Sequence, residues 1–383
     1  MLLAVENDFQ AALMAPTELL AEQHARTLGA LLAPLGIVPE LLLGKMTAAA
    51  KKAAKARLGQ GGARIAVGTH ALMQESVAFR RLGLVVIDEQ HRFGVEQRAA
   101  LIGKGSAPDV LLLSATPIPR SLALTLYGDL DQSMLRERPP GRGTVRTDIR
   151  GEQHRERVLA FVEAECRAGR QAYVVLPIIE ESEKADLRAA TTMAEMLTAR
   201  WPDLSVALVH GRLKADERDR VMRRFRDGGV QVLVATTVIE VGIDVPNATV
   251  MVIEHPERFG LAQLHQLRGR IGRGAANSHC ILLPGGRTPD RLKAFAATND
   301  GFAIAELDLR ERGMGDLIGA RQSGGIEVRH ARLPEDTDLL LRARELAGQV
   351  LAADPMLQRT ANQPIRARAL ARFPRATELF RVG

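Results

Sequence analysis

Short apolar runs of strand length recur along the chain, each separated from the next by a polar stretch. They fall at Gln10–Met14, Arg64–Val67, Leu84–Ile87, Val110–Leu113, Ala172–Leu176, Ala207–Val209, Val230–Val234, Val250–Ile253 and Cys280–Leu283. Their near-continuous apolar character, without strict alternation, predicts strands buried on both faces, as in parallel sheets. Between them, Glu18–Leu32 and Ala215–Phe225 carry apolar residues at helical spacing. Strand–helix alternation of this kind predicts an α/β fold. The alternation stops at Arg136–Gly143, RERPPGRG, whose prolines and glycines disfavour both helix and strand. The pattern therefore predicts two parallel-sheet lobes in tandem, over residues 1–138 and 143–286, joined by a linker at 139–142. Beyond them Leu292–Ile304 and Asp336–Ala352 read as helices, so residues 287–383 form a small, mainly helical segment with a basic tail.

Composition narrows the picture. A chain of 383 residues, 46% apolar, suffices for two or three buried cores. Its apolar runs are short and interrupted by charge, which predicts no membrane-spanning helix. Met1–Leu3 lacks a basic leader and meets Glu6 and Asp8 at once, which argues against a signal peptide. Cys166 and Cys280 lack metal-ligand spacing and suit a reducing cytosol. The net charge is +7, with the excess in residues 1–150 and in the tail after residue 341. That balance suits a nucleic-acid partner. Aromatic residues make up only 3%, so tracking of the phosphate backbone fits better than base stacking.

Four constellations carry candidate chemistry. Asp88-Glu89-Gln90-His91 follows the strand run Leu84–Ile87, at the carboxyl end of a strand where open α/β sheets bind ligands. In the functional reading Asp88 holds a magnesium ion and Glu89 orients or deprotonates an attacking water. The plainer reading is an acidic surface turn. Leu113–Arg120, LSATPIPR, is by itself an ordinary proline-fixed loop. His265–Gly274, HQLRGRIGRG, packs Arg268, Arg270 and Arg273 between glycines, a geometry suited to a phosphoryl-transfer transition state. Its alternative is a generic basic patch. In Ala235–Asn247, ATTVIEVGIDVPN, hydroxyls and amides suit DNA phosphates and Asp244 suits a nucleotide sugar. A core loop with an incidental Asp is the alternative there. The order is decisive: acidic pair and SAT in the first lobe, threonine loop and arginine motif in the second.

That order resembles the superfamily 2 helicases. APTELLAEQ, GTHAL, IDEQHRFGVEQR, LSATPIPRSLALTLYGDLD, RPPGR, LVHGRLK, TTVIEVGIDVPNA and PERFGLAQLHQLRGRIGRG together resemble the RecG family of branch-migrating bacterial DNA helicases. Transcription-repair coupling factors share several of these segments but lack PPGR and usually carry Glu where this chain has Gln90. DLRERGMGDLIGARQSG, residues 308–324, resembles a translocation motif that those two families share. The resemblance spans roughly residues 10–355 and implies two RecA-like lobes, with ATP and Mg²⁺ as cofactors. It implies that Asp88 binds the magnesium with ATP, that Glu89 activates water, and that Arg270 and Arg273 approach the γ-phosphate. Gln90 and His91 couple that site to Ser114 and Thr116, while Gly242, Asp244 and Gln266 complete the nucleotide side. Thr17, Gly68, Thr69 and Thr236 track a DNA strand, and Arg310, Arg312, Gly313 and Gln322 serve translocation along duplex. Branched duplex DNA is the implied partner, with single-stranded DNA-binding protein as a further candidate. The resemblance also implies a monomer, no membrane association, and a bacterial cytoplasmic, nucleoid-associated location.

One departure stands out. The family places a phosphate-cradling GxxxxGK[ST] loop ahead of APTELL, and the 383 residues contain none. The sequence reading is that the chain starts just downstream of that loop, and that the chain alone neither hydrolyses ATP nor unwinds DNA. It also expects an unpaired edge in the first sheet. The competing readings are a catalytically dead DNA-binding remnant of the same fold, a coupling-factor-like translocase and an RNA helicase.

Overall fold

The computed structural model describes residues 1–114, 131, 133–135, 137, 139–177, 183–236, 244–317 and 336–372. The chain divides into two compact units, residues 1–117 with 137–304 and residues 118–136 with 305–383.

The first unit holds two open parallel sheets. Lobe one contributes β1 (Gln10–Met14), β2 (Glu40–Leu42), β3 (Ile65–Gly68), β4 (Leu82–Ile87) and β5 (Asp109–Leu112), with spatial order β2-β3-β1-β4-β5. Its helices are α1 (Leu2–Glu6), α2 (Glu18–Leu32), α3 (Ala48–Gln60) and α4 (Val95–Ile102). Successive residues of a strand face opposite sides of its sheet. Ala12 and Met14 accordingly pack with Leu58, Val85 and Ile87, whereas Leu13 packs with Leu20, Val67 and Val86. Covering both faces is what required the continuous apolar runs.

Lobe two contributes β6 (Val145–Ile149), β7 (Gln171–Val175), β8 (Val206–Val209), β9 (Val232–Ala235), β10 (Ala248–Glu254) and β11 (Ser278–Leu283). The order is β6-β11-β10-β7-β9-β8, again all parallel. Its helices are α5 (Arg155–Arg167), α6 (Glu183–Arg200), α7 (Ala215–Arg226), α8 (Leu261–Arg268) and α9 (Asp290–Ala297). Val174, Val234, Val252, Leu197 and Trp201 lie in its core. Read from the other side, this order repeats that of lobe one strand for strand, with β6 added beside β11. The counterpart of β11 is β5, which pairs with β4 and leaves Val110 and Leu111 exposed at 39% and 50%.

Two strands were not foreseen. β2 is only three residues long, and β6 (VRTDI) alternates apolar with polar residues as an edge strand does. The single helix expected over Leu292–Ile304 is a correction. The chain forms α9, breaks at Thr298–Asp300, and resumes as α10 (Gly301–Leu317). Side chains compete with the helix there: the Thr298 hydroxyl accepts from Asp300 N at 3.1 Å, and Asp300 Oδ1 accepts from Phe302 N at 2.9 Å.

In the second unit, α11 (Thr337–Ala353) and α12 (Gln363–Arg372) are joined by a turn built on Asp354. Its carboxylate accepts from Gln358 N, Arg359 N and Asn362 Nδ2 at 2.8–2.9 Å.

Candidate nucleotide and nucleic-acid site

Asp88 and Glu89 lie at the carboxyl end of β4. Asp88 N donates to Met14 O at the end of neighbouring β1, 2.9 Å away. Both Asp88 oxygens are engaged: Oδ1 accepts from Glu89 N at 3.0 Å, and Oδ2 meets His24 Nε2 of α2 at 2.8 Å. Glu89 adopts φ 50°, the left-handed region that costs a non-glycine residue about 1–2 kcal/mol. That twist turns the chain off the strand into the short 3₁₀ turn Gln90–Arg92. Gln90 is buried. Its N donates to Leu113 O at 3.3 Å, which ties the acidic turn to the segment leading into Ser114. Arg98 Nη1 donates to Gln90 Oε1 at 3.4 Å. His91 has its backbone in the turn, but its side chain lies outside the described residues, as do Thr116 and Gly242.

Lobe two repeats this local structure. Arg92-Phe93-Gly94-Val95-Glu96-Gln97 and Arg258-Phe259-Gly260-Leu261-Ala262-Gln263 share the pattern RFGxxQ. Each follows a strand end, a left-handed residue (Glu89, and His255 at φ 48°) and a 3₁₀ turn. In each the glutamine Oε1 accepts from the glycine N, at 3.0 and 3.1 Å, and so caps the next helix. A second matched pair is Gln10 and Gln171, both buried at strand starts. Gln10 Nε2 donates to the carbonyls of Leu58 and Ala63, and Gln171 Nε2 to those of Phe225 and Val230. The RFGxxQ spacing was the sequence signal for this duplication, and the motif reading passed over it.

Among the arginines, Arg268 serves the core. It is buried, lies over the Phe295 ring at 4.2 Å, and donates to the Thr147 hydroxyl, Phe295 O and Thr298 O. Arg270 is buried at 6% exposure, and Gln266 is half-buried. Arg273 donates through Nε to Gly269 O at 3.1 Å and pairs through Nη1 with Asp244 Oδ1 at 3.5 Å. Beneath them Tyr173 of β7 is fully buried. Burial pushes its phenol upward, Arg270 and Arg273 oppose that shift, and Asp244 reinforces it, so these four groups share one electrostatic neighbourhood.

α2 connects the two halves. Thr17 caps it, accepting from Leu20 N at 3.3 Å. Further along, Gln23 Oε1 accepts from Asp244 N of lobe two at 3.3 Å, next to His24 on Asp88. Asp88 and Arg273 are thereby linked through two consecutive residues of one helix. Sequence reasoning placed this segment on DNA and missed Glu22, Gln23 and His24 as partners of other elements.

The expected DNA-tracking residues are placed less openly. Thr17 is half-buried, Gly68 is buried, and Thr69 and Thr236 are buried at 2% and 0%, their hydroxyls without a partner among the described residues. A Cβ at Gly68 would lie 2.4 Å from Leu42 O, so glycine is required there by close strand packing. Arg310 is exposed on α10. Arg312 and Gly313 continue that helix with side chains outside the described residues, and Gln322 lies outside them entirely.

Among the described residues no group of three or more His, Cys, Asp or Glu side chains is arranged to hold a metal. Asp88 would therefore hold a magnesium ion only as a single ligand, together with groups brought by a nucleotide. No described helix is long and apolar enough to cross a membrane.

Comparisons with known proteins agree with this fold. Residues 1–125 match the DEAD/DEAH box helicase family and residues 153–275 the helicase conserved C-terminal domain. Residues 298–374 match "ATP-dependent DNA helicase RecG, domain 3, C-terminal". The chain is 50% identical over 361 residues to the ATP-dependent DNA helicase RecG of Synechocystis, covering 93% of this chain and 43% of that protein. It is 49% identical over 356 residues to RecG of Escherichia coli K12, covering 91% and 51%. A solved structure of RecG bound to a three-way DNA junction is 46% identical, with TM-score 0.72, covering 87% of this chain and 43% of that one. Saccharomyces cerevisiae Dbp5 bound to RNA and ADP BeF3, at 18% identity and TM-score 0.54, shares the two-lobe fold alone. The chain spans about half the length of the relatives it matches. On sequence, on fold and on the helicase segments of both lobes, this chain belongs to the RecG family of DNA helicases.

Proposed function

We propose that the chain is the motor region of a RecG-type, ATP-dependent translocase that acts on branched DNA such as forks and Holliday junctions. The observation that carries this reading is the link Asp88–His24–Gln23–Asp244–Arg273, which joins the acidic turn of lobe one to the arginine motif of lobe two through α2. In this reading Asp88 holds the magnesium of a bound nucleotide, and Glu89, set on its left-handed turn, orients the attacking water. Arg270 and Arg273 stabilise charge on the transferred phosphoryl group from the second lobe. Asp244 and Gly242 belong to the ribose-side motif of that nucleotide site. Gln90 and His91 pass the state of the turn to Ser114 and Thr116. ATP supplies the free energy when bound; the chain's own part is to orient, to exclude water and to move one lobe against the other. Thr17, Gly68, Thr69 and Thr236 line the DNA side, and the burial of the last three means that DNA engagement requires the surrounding loops to shift. Arg310, Arg312, Gly313 and Gln322 convert lobe movement into travel along duplex. Functional boundaries at residues 138, 142 and 286 separate the lobes, the linker and the translocation segment. A monomer working at the bacterial nucleoid, with single-stranded DNA-binding protein as a candidate partner, fits the same reading.

The 383 residues contain no GxxxxGK[ST] loop, so nothing within them supplies the amides and lysine that neutralise the β- and γ-phosphates. We expect them alone to bind a three-way junction more tightly than linear duplex or single-stranded RNA, and not to turn over ATP. Fluorescence anisotropy with those three probes tests the first part, and equal affinity for RNA would overturn it. ATP turnover by the purified chain, stimulated by junction DNA and lost in Glu89→Gln, would overturn the second.

A further inference from the structure

Glu22, Gln23 and His24 are consecutive on α2, yet each grips a different element. Glu22 accepts from Arg223 Nη2 of α7 through both carboxylate oxygens, at 3.0 and 2.9 Å, and pairs with Lys45 Nζ at 2.7 Å. Burial alone would raise the Glu22 carboxyl; hydrogen bonds and charge from Lys45 and Arg223 outweigh it and hold the group below its ordinary value. Gln23 holds the backbone N of Asp244 in lobe two. His24 holds Asp88 in lobe one. Neighbouring residues on a helix point about 100° apart, so three neighbours all engaged means that α2 sits at a junction with partners around it. Glu22 and Asp88 are each only 18% exposed, so solvent screens these contacts less than it would surface pairs.

We propose that Glu22, Gln23 and His24 form a positioning latch. Through it α2 ties the carboxylate Asp88 to Asp244 and Arg223 of lobe two and holds the two lobes in one arrangement. The proposal rests on the reading that Asp88 and Arg273 belong to two halves of one site, and it assigns to α2 the mechanical link between them. A helix moves as a rigid piece, so freeing any one of the three contacts alters the other two. Glu22 and Arg223 carry the lobe-to-lobe grip, Gln23 reports on the segment that bears the partner of Arg273, and His24 reports on Asp88. The consequence is specific: a change at Asp88, inside lobe one, must be felt in the spacing of the lobes.

The test needs neither ATP nor DNA. Exposed Ala53 on α3 and Ala160 on α5 are replaced by cysteine and spin-labelled. Native Cys166 and Cys280 stay unlabelled, being buried with thiols pushed up to about 12. Double electron–electron resonance then gives the interlobe distance distribution. Glu22→Ala is expected to lower the ratio of latched to open populations roughly tenfold, as loss of hydrogen bonds to a charged group would. Arg223→Ala should match it, and the double variant should add little. Asp88→Ala, which removes the partner of His24, should shift the distribution in the same direction, and Glu22→Asp should restore part of the latched population. An unchanged distribution in Glu22→Ala or in Asp88→Ala overturns the latch. Should Glu22→Ala fail to fold, Arg223→Gln, altering only a half-buried partner in lobe two, decides the same question. Failure to bind the junction probe would sink the functional reading and leave this distance measurement intact.

Discussion

The turn at Asp88-Glu89 and the turn at Glu254-His255 occupy the same place in two lobes of the same strand order. Both end the strand that neighbours the first strand of the β1 or β7 type, both contain a left-handed residue, and both run into RFGxxQ. Their carboxylates meet different fates. Glu254 is 4% exposed and bidentate on Arg155, at 2.6 and 2.8 Å, and Arg155 also pairs with Glu152. The hydrogen bonds Arg155 donates to Glu254 first, then to Glu152, drive its guanidinium upward despite burial. Asp88 is 18% exposed and has a histidine for a partner. A carboxylate locked to a permanent cation is a structural bolt, whereas one held by a replaceable imidazole is available for chemistry. The backbone is common to both; the partner decides the role.

The largest expected effect tests that contrast directly. Arg155→Ala leaves Glu254 buried without its cation and should cost lobe two about 3–5 kcal/mol. His24→Ala should cost lobe one only about 1 kcal/mol. Urea unfolding followed by Trp201 emission reports lobe two, since Trp201 is the chain's single tryptophan and is fully buried there, and far-UV circular dichroism over the same titration reports the helices of lobe one as well. Equal costs for the two variants would break the contrast. A smaller effect sharpens it. Glu89→Gly and His255→Gly should each gain about 1 kcal/mol, because glycine relieves the left-handed backbone at either turn. A loss of stability in both would refute the shared strain.

The sheet edges give a further contrast. In lobe two, β6 covers β11; in lobe one, β5 presents Val110 and Leu111 to solvent. Such an apolar edge promotes pairing between chains. Leu111→Lys should reduce self-association in sedimentation velocity while changing stability by less than about 0.5 kcal/mol. Unaltered association would remove β5 as its cause.

The smallest expected effect is a pH dependence of the cross-lobe contact. Lys45 and Arg223 face Glu22, with Glu18 beside Lys45, and the Glu22 carboxyl lies below its ordinary value of 4.5. A depressed carboxylate contributes its stabilisation fully above the unfolded value, and that contribution is lost as pH falls through the lower folded value. The latched population should therefore be flat above pH 4.5 and decline below it. Arg223→Ala should flatten the decline, and a decline on raising the pH would contradict the assignment.

Much of this was legible in the chain. β1 and α2 begin and end where the apolar pattern placed them, and eight further strands lie within two residues of their expected bounds at either end. The long valine- and leucine-rich runs have no stable home except between two helical layers. β6 escaped because an edge strand needs only one buried face, and α9 and α10 were merged because Thr298 and Asp300 stop the helix with side-chain hydrogen bonds that periodicity does not register. At the site, Asp88, Glu89, Arg270 and Arg273 could be picked out by residue type and spacing. Glu22, Gln23 and His24 could not be given Arg223, Asp244 and Asp88 as partners, for those residues lie 64 to 221 positions away.

The sequence by itself determined two parallel α/β lobes and the helicase family, because strand-length apolar runs and fixed motif spacings are local properties. Only the tertiary structure decided which carboxylate is bolted and which is free to exchange partners, that Arg268 serves the core, that Thr69 and Thr236 are buried, and that α2 joins the lobes. Each of these depends on which distant side chain arrives beside a given group, and that is set by how sheets and helices pack.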